Sequence, residues 1–373
     1  MNMRIPFDRE KPFNQLPKLP PPAEIVDKEV LVNWGLASRN LAALSKNLNR
    51  LPDPSMLINT ISLREAKSSS EIENIFTTDD ELYKAISDTL REENASGAVK
   101  EVLRYREALW AGYQDIKEHN KITKETIIKV FRQVKDTSQT IRFPQSRTVL
   151  RRGGSEFRSG EVIYTPPRGE GIVEELLDNL IDYLGIAGSA DQDPLIKMAI
   201  SHYQFEAIHP FSDGNGRTGR ILNLLYLVTQ DLLSLPVLYL SKYIIDHKED
   251  YYYGLGVVTQ RGDWKRWIIY MMKAVSFTSA YTNRLIDEIV EQMEATLNHG
   301  RTKLKWYNKE VNELLFRQPY MKPPYLNQVL DRTSRTTLTK YMNELTGLGI
   351  LSPRRDGKEV FFLNNDLIRI LDS

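Results

Sequence analysis

The chain has 373 residues, 41% hydrophobic and 27% charged, with a formal net charge of +1 and no cysteine. That is a globular composition, long enough for two domains, and it excludes a disordered chain, disulfides and cysteine-based metal sites. Near-neutral charge argues against a whole-chain polyanion binder. The lack of an apolar leader or a membrane-length apolar run predicts a soluble, cytoplasmic protein with no membrane partner.

In chain order, residues 10–24 are proline-rich and are expected to run extended over the surface. From about 25 to 290 the apolar periodicity is mainly helical, with no internal repeat. Asp53-Pro54 reads as a helix start, and Asn74 as its stop in a left-handed C′ conformation. This helix, about 54–74, ends on Ser69-Ser-Glu-Ile-Glu73-Asn74 and belongs to an N-terminal helical region assigned to 1–110. A β-rich segment follows: Gln145-Ser-Arg-Thr-Val-Leu-Arg-Arg-Gly153-Gly154, then Gly160 and Val162-Ile-Tyr-Thr-Pro-Pro. It reads as a hairpin. Asp193-Pro194 opens another helix, with Ile196, Ile200, Tyr203 and Ala207 at helical spacing.

Residues 209–220 then read His-Pro-Phe-Ser-Asp-Gly-Asn-Gly-Arg-Thr-Gly-Arg. Gly214 and Gly216 permit positive φ and let a ligand approach bare backbone. Successive N–H groups there form an anion-binding nest, and a helix starting just after them adds free donors and partial positive charge. Arg217 and Arg220, three apart, share a helix face and can each grip two phosphate oxygens. Asp213 is a hard ligand suited to a single-carboxylate Mg²⁺, and His209 titrates in the range of a general base. Gly214-Asn-Gly216-Arg-Thr218-Gly219 also fits a dinucleotide fingerprint, but that requires a strand before it. Here helical patterns flank it on both sides, the second being Ile221-Leu-Asn-Leu-Leu-Tyr-Leu-Val. No phosphate-loop lysine motif exists either.

With these residues the stretch resembles the signature of the Fic family, H-x-F-x-[DE]-G-N-G-R-x-x-R, and departs from it at no defined position. The resemblance implies a mainly α, Fic-type helical core, assigned to 111–295, with a β-hairpin flap. It implies transfer of AMP from ATP to a Ser, Thr or Tyr hydroxyl of a target protein, the enzyme itself included. His209 is then the base and Asp213 the Mg²⁺ ligand. Gly214, Asn215 and Gly216 form the anion hole, with Thr218 and Gly219 in the same nucleotide-binding run. Arg217 takes the α/β-phosphates and Arg220 the γ-phosphate. The hairpin sits where the family's flap pairs with the target by β-augmentation. Ser69, Glu73 and Asn74 match [ST]-x-x-x-E-[GN], resembling the inhibitory helix of the subclass in which that helix precedes the core. Glu73 would there pair with Arg220 and deny it to the γ-phosphate. Tyr251 or Tyr252 falls where the family often has a tyrosine pair near the nucleotide, and Gln260 near the adenine; a core role fits either tyrosine as well. Transfer of another group, removal of AMP, and a transcriptional regulator with a nucleotide-sensing core stay open, as does a homodimer.

Of the remaining histidines (119, 202, 247 and 299), none forms a metal cluster, and His202 reads as a core residue. His299-Gly-Arg-Thr-Lys-Leu-Lys reads as a linker into a final domain, 300–373. There, Pro324–Leu330, the capped helix from Ser334, and strands around Ile350 and Val360–Leu363 joined at Asp356-Gly357 resemble a winged helix-turn-helix. Residues 301–373 hold 13 Lys/Arg against 8 Asp/Glu, a net of +5. Arg335, Thr336, Thr339 and Lys340 on the second helix and Arg354, Arg355 and Lys358 on the wing fit a DNA partner, or equally a protein partner.

Overall fold

The computed structural model describes residues 7–21, 25–51, 53–87, 95–152, 160–185, 192–330 and 333–373. It is mainly helical. The N-terminal part comprises α1 (Lys28–Leu48), α2 (Ile61–Ile72), α3 (Asp79–Ile86), α4 (Gly97–His119) and α5 (Lys124–Lys135). A hairpin of β1 (Leu150–Arg152) and β2 (Glu161–Tyr164) precedes α6 (Ile172–Gly185), α7 (Pro194–Ile208) and α8 (Asn215–Thr229). Then come α9 (Leu240–Asp246), α10 (Lys248–Arg261) and the long α11 (Trp264–Lys303).

Two helices far apart in sequence frame the molecule. Asn40 Nδ2 donates to Ser276 Oγ at 2.9 Å, and Asn47 Nδ2 to Asn283 O at 3.3 Å and Asp287 Oδ1 at 3.0 Å. The partners advance together, so α1 runs parallel to α11. Their amides sit along an otherwise apolar seam, where each buried polar group must be matched. On α7, Asp193 caps the N-terminus by accepting from Leu195 N at 2.8 Å, with Pro194 in the first turn. Nearly every α7 side chain is buried, because α8, α6 and α11 pack around it.

The helix that matters most for the site, α2, is clamped between α4 and α9. Glu65, buried to 1% exposure, accepts from Tyr105 OH at 3.0 Å and from Ser241 N and Oγ at 2.7 and 2.6 Å. Ser68 Oγ shares a hydrogen bond with Tyr239 OH at 2.8 Å.

The C-terminal part holds α12 (Lys309–Leu315), β3 (Tyr320–Met321), a 3₁₀ turn (Pro323–Gln328), α13 (Arg335–Gly347), β4 (Ser352–Asp356), β5 (Glu359–Leu363) and α14 (Asn365–Asp372). Its antiparallel sheet has the order β3-β5-β4. It is tied to the N-terminal helices by Arg64–Asp372 at 3.0 Å, Arg354–Asp80 at 2.8 Å and Lys84–Asp356 at 3.2 Å.

Several expectations need correction. The proline-rich run is not a surface strand throughout: Phe13, Leu16 and Leu19 are buried, and Asn179 exchanges two hydrogen bonds with the Leu19 backbone. An extended chain can still seat apolar side chains while side-chain amides satisfy its backbone. Residues 22–24 lie outside the described residues. The helix expected from 54 begins as a 3₁₀ turn, Pro54–Asn59, and turns α only at Ile61. Asn74 does end it at φ 62°. The boundary at 110/111 falls inside α4, and the expected linker at 299–305 starts as the last turn of α11. Gly300 does not break that helix, because it gives Tyr307 room to pack, and Arg301 and Lys303 suit a helix C-terminus. The helix expected at 324–330 is a 3₁₀ turn, since paired prolines remove two N–H donors from its start. The hairpin's Gly153 and Gly154 lie outside the described residues. Among the described residues, no helix is long and apolar enough to cross a membrane.

Candidate active site

The site is the turn between two buried helices. α7 closes at His209, whose φ of 50° and ψ of 60° place it in the left-handed region, with its N–H donating to Phe205 O at 3.0 Å. Gly214, at φ 79°, is the N-cap of α8. Between them, Phe211 is fully buried and stacks on Phe131, with ring centroids 3.8 Å apart and planes 2° from parallel. Asn215 locks the turn: its Oδ1 accepts from Phe211 N at 2.9 Å and its Nδ2 donates to Phe211 O at 2.8 Å. The Asn215 side chain is thus committed to the turn, and only its backbone N–H is left for an anion at the start of α8.

Arg217 and Arg220 are 2% and 1% exposed and point to different elements. Arg217 Nη1 donates to Glu101 of α4 at 2.7 Å. Arg220 reaches α2: Nε donates to Ser69 Oγ at 2.7 Å, and Nη2 to Ser69 O at 2.9 Å and Glu73 Oε1 at 2.8 Å. The Glu73 carboxylate lies directly over Gly216, where a Cβ would collide with its Oε1. A carboxylate therefore sits at a helix N-terminus beside a buried guanidinium, in the position favoured by an anion. Asn74 follows in its left-handed turn, with its Oδ1 3.4 Å from Lys248 Nζ.

Thr218 and Gly219 sit deeper. The Thr218 N–H is spent on Gly214 O at 3.0 Å, and Gly219 is where α8 passes closely against Phe205 and Glu206 of α7. Asp213 is exposed and bonds Lys135 Nζ at 2.6 Å and Gly214 N at 2.6 Å. Desolvation works to raise its carboxyl, but the bond and charge of Lys135 outweigh it and hold the group below the usual range.

The two tyrosines separate. Tyr251 is 1% exposed, with its hydroxyl 2.9 Å from His202 Nε2 and Trp267 alongside, so it is a core residue. Tyr252 lines a cavity of about 360 Å³ together with Ile163 of the hairpin, Tyr203, Glu206 and Gln260. His202, pushed down to about 3 by burial, is a neutral core imidazole.

Among the described residues His209 Nδ1 has no well-formed hydrogen bond, although the Glu206 backbone carbonyl is close enough to favour its protonation. Desolvation and then the charge of Arg142 push its pKa down to about 4, so the imidazole is neutral near pH 7 and free to accept a proton.

Sequence reasoning missed Arg142, Glu206, Lys135 and Glu101. Glu206 had a readable signal: it is the one carboxylate within a largely apolar helix, one turn before His209. Burial pushes it to about 8, and its Oε1 has no partner. Arg142 had a weaker one, an arginine between Ile141 and Phe143-Pro144. Lys135 and Glu101 look like ordinary helix-surface charges.

Residues 32–114 match the Fic/DOC family N-terminal region, 113–227 the Fic/DOC family, and 279–367 the C-terminal domain of protein adenylyltransferase SoFic-like proteins. The chain is 29% identical over 199 residues to protein adenylyltransferase fic-1 of Caenorhabditis elegans, covering 53% of this chain and 35% of that protein. It is 30% identical over 159 residues to fic-1 of Caenorhabditis briggsae, covering 42% and 28%. The chain thus spans about a third of the length of these curated relatives. Among solved structures, a Fic family protein from Desulfovibrio desulfuricans G20 superposes with a TM-score of 0.56 at 19% identity, covering 92% of this chain and 98% of that one. A Fic domain-containing signaling protein from Bacteroides thetaiotaomicron gives 0.51 at 16% identity, covering 68% and 97%. These likenesses show the fold.

Proposed function

The chain belongs to the Fic/DOC family, and from that premise we propose that it is a protein adenylyltransferase restrained by its own α2. One observation carries the reading. Glu73 fills the anion position over Gly216 and holds Arg220, the cation that would otherwise take the end of a polyphosphate. The relatives' names, protein adenylyltransferase, support the reaction class.

In this reading the triphosphate of ATP lies along the N-terminus of α8, with the backbone N–H groups of Asn215 and Gly216, that of Gly214 once Asp213 releases it, and the guanidiniums of Arg217 and Arg220 around it. Neutral His209 takes the proton of the target's hydroxyl. The hydroxyl oxygen attacks the α-phosphorus in line, the bond to the bridging oxygen breaks, and pyrophosphate leaves. Fixed donors already aimed at the phosphates need little reorganisation, and this lowers the barrier. Asp213 would hold Mg²⁺: a single exposed carboxylate beside a phosphate site fits an ion whose other ligands are phosphate oxygens and water. Bound there, the ion would neutralise charge on the polyphosphate. Tyr252 and Gln260 would contact the base in the cavity under the hairpin, which itself would receive an extended segment of the target.

Residues 300–373 we read as a winged helix used for protein docking. Wing residue Arg354 is committed to Asp80, which leaves α13 and the exposed Arg355 and Lys358 as its outward basic face. Salt-sensitive retention of the full chain on duplex DNA would replace this reading with a nucleic-acid partner.

The test is mass spectrometry of proteins incubated with the Glu73→Gly chain, ATP and Mg²⁺. An AMP adduct on a hydroxyl is expected, and it should vanish in Glu73→Gly/His209→Ala while ATP binding persists. A phosphate adduct would redirect the assignment to a kinase-like transfer.

A further inference from the structure

Arg142 is a buried arginine that forms no ion pair among the described residues, although the charge of Glu174 reaches it. It is 5% exposed, and every bond it makes is to a backbone carbonyl. Its Nε donates to His209 O at 2.8 Å, and its Nη2 to Ile208 O at 3.2 Å and to Pro167 O. Its own backbone N–H donates to Pro210 O at 2.9 Å. Burying an unpaired charge is costly, so a guanidinium kept in this way must be well compensated. The compensation here is specific. Ile208 and His209 are the last carbonyls of α7, the negative end of its dipole. Pro167 lies three residues beyond the end of β2, where the hairpin returns to the body of the protein.

We infer that Arg142 is a positioning residue that keys His209 to the base of the β1–β2 hairpin, fixing the imidazole against the strand on which a target segment would lie. The inference rests on the proposed AMP transfer for its kinetic consequence, but the contact between Arg142 and His209 stands apart from it. Geometry explains why a fork is needed: one planar group must reach the hairpin return and two successive turn carbonyls at once, which a lysine ammonium on a flexible stem does not do. His209 sits in a left-handed conformation that a residue with a Cβ adopts at some cost, and the bond to its carbonyl helps hold it there. Among the groups acting on the imidazole, the charge of Arg142 opposes its protonation, and the charges of Glu73 and Asp213 favour it, as does the Glu206 backbone carbonyl, an acceptor close to the ring.

The experiment compares Arg142→Gln and Arg142→Lys in the Glu73→Gly background, by steady-state AMP transfer and by NMR titration of labelled histidine without nucleotide or metal. Five histidines make the spectrum tractable, and His209→Ala assigns the resonance. For Arg142→Gln, kcat should fall on the order of 10²-fold, as expected for a small misplacement of a reacting group. KM for ATP should hold, because no phosphate contact is lost. The imidazole midpoint should rise from about 4 toward 6.5. For Arg142→Lys, kcat should fall comparably while the midpoint stays low, since charge is kept and the fork is lost. A folded Arg142→Gln with unchanged kcat and an unchanged midpoint would overturn the inference, as would a loss confined to KM for ATP. If Arg142→Gln does not fold, undiminished kcat in Arg142→Lys overturns it. If the Glu73→Gly parent transfers no AMP, the functional reading has failed, and the titration alone still decides whether Arg142 governs His209.

Discussion

Two glutamates eight residues apart on one helical segment are held in contrasting ways. Glu65, in the body of α2, is 1% exposed and accepts three hydrogen bonds from Tyr105 and Ser241. Desolvation pushes its carboxyl up, against the opposing pull of those donors. Glu73 lies just past the last turn, its side chain 35% exposed, bonded to Arg220 on one oxygen. The first contact is enclosed and cannot exchange with water; the second stands at the mouth of the anion site. On the proposed reading one segment carries an anchor and a latch, and a switch would need both: the latch could let go because the anchor keeps α2 in place for its return.

The largest effect should come from breaking the anchor. Glu65→Ala leaves the Tyr105 hydroxyl and both Ser241 donors buried without an acceptor and opens a cavity. A loss of ~3 kcal/mol is expected, read as a lower denaturant midpoint at unchanged slope. A loss below ~1 kcal/mol would mean that α2 is not anchored at this point.

Breaking the latch should be gentler on the fold and larger on activity. Glu73→Gly should cost less stability than Glu65→Ala, because the Glu73 side chain is 35% exposed and Arg220 keeps its bonds to Ser69 Oγ and O. AMP transfer should rise about 5–150-fold, the usual range of coupling between a regulatory contact and a site. Gly216→Ala sharpens the point. Its Cβ would displace Glu73 from the helix N-terminus, so it should cost ~1 kcal/mol of stability alone and much less in the Glu73→Gly background. Additive costs would show that Glu73 does not rest on Gly216.

Anchor and latch differ just as sharply in how far the sequence revealed them. The turn at 209–220 was legible because its chemistry is local: glycines, acid, base and arginines within twelve residues. The end of α2 was legible at Asn74, whose left-handed conformation follows from its residue type. Nothing local in Ser69–Asn74 points across 147 residues to Arg220; only the resemblance suggested that pairing. The anchor was invisible, since Glu65 meets Ser241 across 176 residues and looks like one more helix-surface acid in Leu-Arg-Glu-Ala. Arg142 was hidden for a related reason: its partners are backbone carbonyls, which leave no mark in the identities of the residues that supply them. The start of α2 was misread because Asp53-Pro54 is a good start for either kind of helix, and packing chose a 3₁₀ turn before the α-helix.

The smallest effect separates latch from anchor by charge alone. His209 is held at about 4, well under the 6.5 of a free imidazole, chiefly by desolvation. Because its folded pKa is depressed, the unfolded chain binds the extra proton between those values. Its contribution to stability is therefore complete above about pH 6.5 and is lost as pH falls toward 4. The acid limb of AMP transfer should accordingly lie near pH 4 rather than 6.5, with a flat rate across neutral pH. The negative charge of Glu73 works to raise this value, whereas Glu65 is enclosed by its bonds to Tyr105 and Ser241. The histidine midpoint, followed by NMR, should move lower in Glu73→Gly and stay in place in a folded Glu65→Gln. A midpoint that moves in both would mean that the catalytic turn senses α2 as a whole, and the division into anchor and latch would fail.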